Sequence, residues 1–252
     1  MSKQRMSENR KALPKFFLII VIAMVLGFVI GIGTAYVDAI NWLDTAVETI
    51  HQTLAAITPY SIWVLTAGLI IPELVLYHQA KTRFHAWDGE DENEIEGAEE
   101  NLSWVLLLTV FHMVLAFFFF GLTRNLEELH RSGGGITLLA FIVSMVVLIV
   151  IQQKVVDLIR KMNPEKQGSV YDMKFQKKWV ESCDENEQRQ IGQAAFQSFK
   201  AVNVTCIVLW IILMVGSGVY PIGVLPSFLV LLIFGISQVS YVLASIRLAR
   251  HK

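Results

Sequence analysis

Six long apolar stretches alternate with polar segments along the chain. Each contains close to the roughly 20 mainly apolar residues that a helix needs to cross the hydrocarbon core of a bilayer. The pattern predicts an all-α polytopic membrane bundle with six transmembrane helices, and it places residues 1–252 in a single membrane domain. The predicted spans are residues 16–36, 61–80, 102–122, 136–153, 200–219 and 224–244.

Basic residues fall almost entirely on one side of these spans. Short loops rich in Lys and Arg stay in the cytoplasm. With a cytoplasmic N-terminus, all but two of the 21 basic residues, Arg124 and Arg131, lie inside. The pattern therefore predicts three out-and-back hairpins with both termini in the cytoplasm. Segments 81–101 and 154–199 are then cytoplasmic, and both are candidate docking sites for a protein partner.

An amphipathic outer helix is predicted between the first two spans, over residues 38–58. Its apolar residues recur at steps of three and four, which places them on one helix face, and Pro59 is predicted to end it. We expect a connector that buries its apolar face by packing on the protein; the alternative is an outer cap or a binding surface for an extracellular ligand. The apolar positions are Ile40, Leu43, Val47, Ile50, Leu54 and Ile57.

The cytoplasmic segment 81–101 is strongly acidic. Clustered carboxylates bind hard cations, but a calcium loop needs glycine at its sixth position, and Gly89 does not fit that register. We therefore predict a solvated acidic turn without a metal site, with docking of a protein partner as the alternative.

The cytoplasmic segment 154–199 carries an aromatic stripe with basic neighbours. Tyr171, Phe175 and Trp179 are spaced four residues apart. Aromatic rings flanked by cations suit the anionic inner leaflet, so we predict an interface with lipid, and a protein partner is the alternative. The basic neighbours are Lys174, Lys177 and Lys178.

Two ionisable residues lie inside predicted spans, Glu73 in the second and His112 in the third. Such residues are costly in hydrocarbon and face the bundle interior, and histidine exchanges a proton near neutral pH. They form a candidate polar site with two interpretations: each side chain is satisfied separately, Glu73 by water near the inner interface and His112 by one polar neighbour, or the two share a proton or bind a cation. Asn203, Gln238 and Tyr241 are further candidates in the inner halves of later spans.

Small residues recur at four-residue spacing in the first span. Ala23, Gly27, Gly31 and Ala35 form a ladder that lets two helices approach closely. The ladder predicts helix packing, either against an internal neighbour or against a second protomer in a homodimer.

The composition fits a membrane protein and excludes several other classes of protein. Of the residues, 54% are hydrophobic and 17% charged, whereas about a quarter of a soluble domain is charged. These values exclude disordered, collagen-like, disulfide-rich and nucleic-acid-binding chains. Two cysteines, Cys183 and Cys206, are too few for a structural zinc site, which needs about four ligands. No catalytic motif is complete, so we expect no catalytic residue and no cofactor, and the sequence argues against an enzyme.

Three stretches carry a resemblance to a known family: Trp87–Glu92, the stretch from Tyr171 to Glu185, and the run from Ala194 into Asn203–Cys206. In these stretches the chain resembles six-span bacterial membrane proteins, mainly from Gram-positive bacteria, whose function is unknown. The resemblance implies six spans in the plasma membrane. It implies no activity, cofactor or catalytic residue.

Two functional hypotheses follow from these observations. The first is a non-enzymatic membrane protein that acts as a sensor, an immunity factor or an accessory subunit, because structured loops are predicted on both sides of the bilayer. The second is a small proton- or cation-linked transporter that uses Glu73 and His112.

Overall fold

The computed structural model describes residues 39–87, 92–125, 134–217 and 222–250, together with individual residues between Pro14 and Val29. Within these residues the chain forms helices joined by turns and loops, without a strand, which confirms the predicted all-α class. The helices are α1 (Ala39–Ala86), α2 (Glu92–Asn125), α3 (Gly134–Met162), α4 (Phe175–Glu181), α5 (Glu185–Ser217) and α6 (Leu225–Arg250).

Five helices in the described part of the chain are long and apolar enough to cross a membrane. They coincide with the second to the sixth predicted spans, so the chain has the helices of a membrane protein. The first predicted span, 16–36, falls mostly outside the described residues, and a count of six spans stays a prediction. The five stretches are Tyr60–Ala86, Asn93–Leu122, Gly135–Met162, Glu185–Ser217 and Leu225–Ala249.

The small-residue ladder falls largely in the part of the chain that the structure does not describe. Ala23, Gly31 and Ala35 lie outside the described residues. Gly27 is helical, and a Cβ built on it meets no atom within 4 Å. The packing role of the ladder therefore stays a prediction.

Helix α1 continues through Pro59, where the sequence predicts the outer helix to end. The hydroxyl of Thr58 donates to the carbonyl of Leu54 at 2.5 Å, and that of Ser61 donates to the carbonyl of Thr58 at 2.8 Å. Pro59 lacks the N–H that would bond the carbonyl of Ala55, and neither hydroxyl bonds that carbonyl, so the helix continues although this one backbone bond is missing. The predicted boundary at residue 58 is absent, and the predicted outer helix and the predicted second span form one helix of 48 residues.

Helix α2 begins inside the acidic segment 81–101. Residues 92–100 are helical rather than part of a loop, and acidic side chains are favourable near a helix N-terminus. Arg83, near the end of α1, lies directly over Gly97 of α2, where a Cβ would overlap the guanidinium group. The absence of a side chain at Gly97 therefore lets the two chain segments approach.

The chain divides into two compact units, and residues 47–190 form the first. Within this unit α2 and α3 pack closely along their length, and side chains of α1 complete a small apolar core. The buried core residues are Ala80 of α1, Ala98, Leu102 and Val105 of α2, and Ile151, Val155, Leu158 and Met162 of α3.

The second unit comprises residues 1–46 and 191–252. Its described contacts join α5 to α6 through an aromatic group. The rings of Phe199 and Tyr241 stack at 4.7 Å between centroids, and Phe196 lies 6.4 Å from Tyr241. The ammonium group of Lys200 lies 5.1 Å above the ring of Phe196, a cation–π contact.

The connector, residues 163–184, links α3 to α5 and contains α4. It leaves α3 at Asn163–Pro164, where proline cannot continue a helix. It ends at Asp184, whose carboxylate accepts the backbone N–H of Glu187 at 2.7 Å, while the Glu187 carboxylate accepts the N–H of Asp184 at 3.0 Å. This reciprocal capping box starts α5.

Candidate functional site

The structure brings Glu73 of α1 and His112 of α2 into direct contact. His112 Nδ1 lies 3.3 Å from Glu73 Oε1, and both side chains are fully buried. Ionisable groups inside a membrane bundle are expensive and usually pair with one another. The two residues that stand out in the apolar stretches therefore form one pair.

The second nitrogen of His112 is held by hydroxyl groups from two other helices. Nε2 lies 3.2 Å from Thr66 Oγ1 of α1 and 3.1 Å from Ser144 Oγ of α3. Thr66 and Ser144 are themselves buried. The imidazole ring thus connects three helices, with an oxygen partner at each nitrogen.

A further hydroxyl lies one turn from His112 on α2. Thr109 Oγ1 donates to the carbonyl of Leu106 at 2.8 Å and accepts from Gln152 Nε2 of α3 at 3.2 Å. Small buried side chains, Ala116 of α2 and Ala140 of α3, line the helices nearby and let helices approach closely. We call Thr66, Glu73, Thr109, His112, Ser144 and Gln152 the polar cluster.

The hydroxyl partners of His112 suit more than one protonation state. A hydroxyl both donates and accepts, so Thr66 and Ser144 can donate to an unprotonated Nε2 or accept from a protonated one. On the other side, Glu73 accepts from Nδ1 when ionised and donates to it when protonated. Every arrangement of one proton between Glu73 and His112 therefore keeps both ring nitrogens hydrogen-bonded.

Glu73 keeps one oxygen without a partner. Among the described residues, Oε2 is buried and makes no hydrogen bond. An unsatisfied buried acceptor costs about 1–3 kcal/mol, more if charged. Within the same residues, no group of three or more His, Cys, Asp or Glu side chains is placed to hold a metal ion. Glu73 Oε2 is therefore an acceptor of the polar cluster that no described group uses.

The other candidate residues of the later spans lie in the second unit. Asn203 accepts from the hydroxyl of Ser237 at 3.3 Å, and Tyr241 stacks on Phe199. Gln238 is half-buried on α6. None of these contacts includes Glu73 or His112, so the polar cluster is described by residues 66–152 alone.

Sequence reasoning misses Thr66, Ser144 and Gln152 as members of the polar cluster. Thr66 precedes Glu73 by seven residues, two helical turns, which places both on one face of α1. That spacing is a signal that could have identified Thr66. Ser144 has no such marker, because one hydroxyl in an apolar stretch usually bonds its own helix.

The predicted aromatic stripe of the connector divides between exposed and packed side chains. Tyr171 is exposed, whereas Phe175 and Trp179 are half-buried with their rings 5.6 Å apart. The basic neighbours are all exposed: Lys178 pairs with Asp172 at 2.5 Å and Lys177 with Glu181 at 3.7 Å, and Lys174 donates its backbone N–H to Asp172.

Comparison with known proteins yields a family and no activity. A family model described as "Protein of unknown function (DUF3169)" matches residues 13–245. No curated protein and no solved structure matches the chain. The match agrees with the predicted resemblance to a family of unknown function, while the bacterial origin implied by that resemblance stays a prediction.

Proposed function

Because the chain belongs to the DUF3169 family of proteins of unknown function, its role has to be argued from its own residues, and we propose that it is a non-enzymatic integral membrane protein that senses protons through the Glu73–His112 pair. The observation that carries this proposal is the hydroxyl surround of His112, with Thr66 and Ser144 on Nε2. These groups keep their hydrogen bonds when the ring gains or loses a proton.

A proton gained or lost by the pair changes the net charge that is buried in a low-dielectric site. With one proton between them, Glu73 and His112 carry no net charge, either as two neutral groups or as an ion pair. Losing that proton leaves one buried negative charge, and gaining another leaves one positive charge. An uncompensated buried charge costs several kcal/mol, so a change in proton number favours rearrangement of the helices that hold the pair.

Two consecutive glutamines supply a route from the pair to the connector. Gln152 donates to Thr109 in the polar cluster. The next residue, Gln153, accepts from the hydroxyl of Ser169 at 3.0 Å and from the backbone N–H of Val170 at 2.8 Å. A shift of α3 in response to charge on His112 would therefore move the anchor of the connector.

The proposal includes a location and an orientation. We place the chain in a bacterial plasma membrane with six spans and both termini in the cytoplasm. The asymmetric Lys and Arg distribution supports this orientation, and it makes the connector the cytoplasmic output of the sensor, where an accessory partner would bind.

Hydrogen exchange of the connector tests this function. The full-length protein in nanodiscs is measured at pH 5.5 and 8, with amide rates corrected for their intrinsic pH dependence. We expect the protection of residues 163–174 to differ between the two pH values in the wild type and to become pH-independent in Glu73→Gln, which removes the charge and keeps the shape.

Glu48→Gln is the matched control for this experiment. Glu48 lies on the same helix, is exposed and bonds Gln52 at 2.9 Å, so its replacement should leave the wild-type response intact. A wild-type connector with the same protection at both pH values contradicts the sensor. So does a response that survives in Glu73→Gln.

A second candidate function is proton- or cation-linked transport. The unpartnered Glu73 Oε2 supports it, because the pair becomes negative when its proton leaves and a cation could then bind that oxygen. Proteoliposomes with an internal pH dye and an imposed proton gradient separate the two functions. Proton flux that depends on Glu73 but not on Glu48 supports transport, whereas an intact pH response without flux leaves only the sensor.

A further inference from the structure

The connector returns to the level at which the apolar part of α3 ends. Gln153 is the last residue of the predicted span 136–153, and its side chain holds Ser169 and Val170. From Met162, where α3 ends, the chain must therefore travel back along nine helical residues, about 14 Å at 1.5 Å per residue. Residues 169–174 are thus placed beside the membrane boundary.

At that boundary the connector presents apolar side chains to its surroundings. Met173 is fully exposed, at 103% of its reference area, and Tyr171 is 68% exposed. Two exposed side chains alone do not mark a contact site, but these two lie at the membrane boundary, and tyrosine is typical of the interface between hydrocarbon and headgroups. Both side chains are placed where lipid would cover them.

In sequence, the residues next to these side chains carry one acid, Asp172, and three lysines. Asp172 accepts the backbone N–H of Lys174 at 2.8 Å and the ammonium group of Lys178 at 2.5 Å. The hydrogen bond from Lys178 and that from Lys174 lower the pKa of Asp172, so the carboxylate stays ionised and paired. Lys174 and Lys177 remain exposed, and Lys177 is 3.7 Å from a carboxylate that is itself exposed.

The loop that carries this surface has a defined shape. Gly168 adopts φ +128°, and a Cβ there would come within 2.8 Å of the ring of Phe175. Phe175 and Trp179 pack together, which leaves Tyr171 and Met173 as the outward groups. The two rings that the sequence assigns to a lipid-facing stripe thus help to hold the loop.

We propose that Tyr171, Met173, Lys174 and Lys177 form a docking surface for the anionic lipid headgroups of the bilayer that α3 crosses. Met173 and Tyr171 insert at the boundary, and the two ammonium groups bind headgroup phosphates. Anionic lipid fits better than an acidic protein, because Gln153 anchors the loop at the membrane boundary and the exposed apolar side chains lie beside the lysines.

An environment-sensitive fluorophore at position 173 tests this surface. Met173→Cys is labelled in a full-length background that lacks Cys183 and Cys206, and the protein is placed in nanodiscs of phosphatidylcholine with or without phosphatidylglycerol. Each lysine near an anionic surface contributes about 1 kcal/mol, a factor of about five. We expect the ratio of lipid-contacting to water-exposed label to rise about 20- to 30-fold with the anionic lipid and to fall about fivefold in Lys174→Gln or Lys177→Gln.

Asn186→Cys provides the matched control, because Asn186 is exposed on α5 beyond the connector and its label should report water in both lipids. Hydrogen exchange of the unmodified chain checks the result without any substitution, with residues 169–174 more protected in the anionic nanodiscs. A label at 173 that reports water in both lipids overturns the proposal. Equal insertion with and without phosphatidylglycerol also overturns it, because headgroup recognition would be absent.

Discussion

The polar cluster and the connector each bury a group that can carry positive charge, and they satisfy it in different ways. His112 is enclosed with Glu73, and neither side chain is exposed. Lys166 of the connector is also buried, but the side chain of its partner Glu187, on α5, is 39% exposed. Lys166 additionally donates to the sulfur of Cys183 at 3.4 Å.

The two sites differ in how many hydrogen bonds the carboxylate of each pair makes. Glu187 of α5 bonds Lys166 of the connector and also caps α5 at Asp184, so its carboxylate has two partners and is partly exposed to water. In the polar cluster, Glu73 Oε2 has no partner among the described residues. The Lys166–Glu187 pair thus holds the turn before α5, whereas the Glu73–His112 pair keeps one carboxylate oxygen without a partner, which is the feature that the proposed proton response uses.

Removing one partner in the polar cluster should have the largest effect. His112→Ala leaves Glu73 buried without its partner, and breaking a buried pair in this way costs about 3–5 kcal/mol. We expect the free energy of unfolding in detergent to fall by that amount. Replacing both residues in Glu73→Leu/His112→Leu should restore most of the loss, because apolar side chains often replace a buried pair without penalty.

The double variant also separates stability from function. A stable double variant that has lost the pH response of the connector is the expected result. If the double variant is as unstable as His112→Ala, the pair is mainly structural, and the contrast with the connector disappears.

Removing the cation in the connector should cost less. Lys166→Met leaves Glu187 partly exposed, so water replaces the lost partner, and the cost is that of a hydrogen bond to a charged group, about 2 kcal/mol. The measurement is again the free energy of unfolding. Lys177→Met is the control: Lys177 is 74% exposed, and its replacement should change stability by less than about 0.5 kcal/mol. Equal losses from Lys166→Met and His112→Ala would contradict the comparison.

The two sites also differ in how much of them the sequence predicts. A glutamate and a histidine inside apolar stretches are conspicuous, because such residues are rare there. Their hydroxyl partners are not, because Thr66 and Ser144 resemble the many hydroxyls that bond their own helix. Only the packing of α1, α2 and α3 brings them to Nε2 of His112.

The contacts of the connector are harder to predict from the sequence than the Glu73–His112 pair. Lys166 and Glu187 are 21 residues apart, and their pairing depends on a loop that turns at Gly168 with positive φ. Helix periodicity carries no information about that turn. The continuity of α1 through Pro59 is also missed, because the rule that proline ends a helix does not hold at this position, where the helix continues without one backbone bond.

Gly168→Ala should loosen the connector and leave the polar cluster unchanged. Alanine at φ +128° is strained, and its Cβ would press on the ring of Phe175, so we expect a loss of about 1 kcal/mol. Hydrogen exchange should locate this loss in residues 163–184. Gly223 also has positive φ, at 78°, but no atom lies within 4 Å of a Cβ there; Gly223→Ala therefore controls for backbone strain alone. Lost protection around His112 in Gly168→Ala would show that the two sites are one structural element.

The pH dependence of the Lys166–Glu187 pair should be the smallest effect near neutrality. The hydrogen bond from Lys166 is the main cause that lowers the pKa of Glu187. Its stabilisation is therefore present above the ordinary value of about 4.5 and is lost as pH falls through the lowered pKa. Burial alone would lower the pKa of Lys166, but hydrogen bonds to Glu187 and Cys183 outweigh it and raise that pKa. The stabilisation from Lys166 is then complete below about 10.5 and is lost as pH rises through the raised pKa.

Between pH 5.5 and 8 the stability difference between wild type and Lys166→Met should consequently stay constant, and thermal unfolding across that range measures it. A constant difference matters for the polar cluster, because the connector is also the reporter of the proposed proton response. Any change in connector protection within this range that Glu73→Gln removes then originates at His112 and Glu73, and not in the Lys166–Glu187 pair. If the stability difference between wild type and Lys166→Met varied with pH between 5.5 and 8, a proton-sensitive group would lie in the connector itself. The response could then not be assigned to the Glu73–His112 pair.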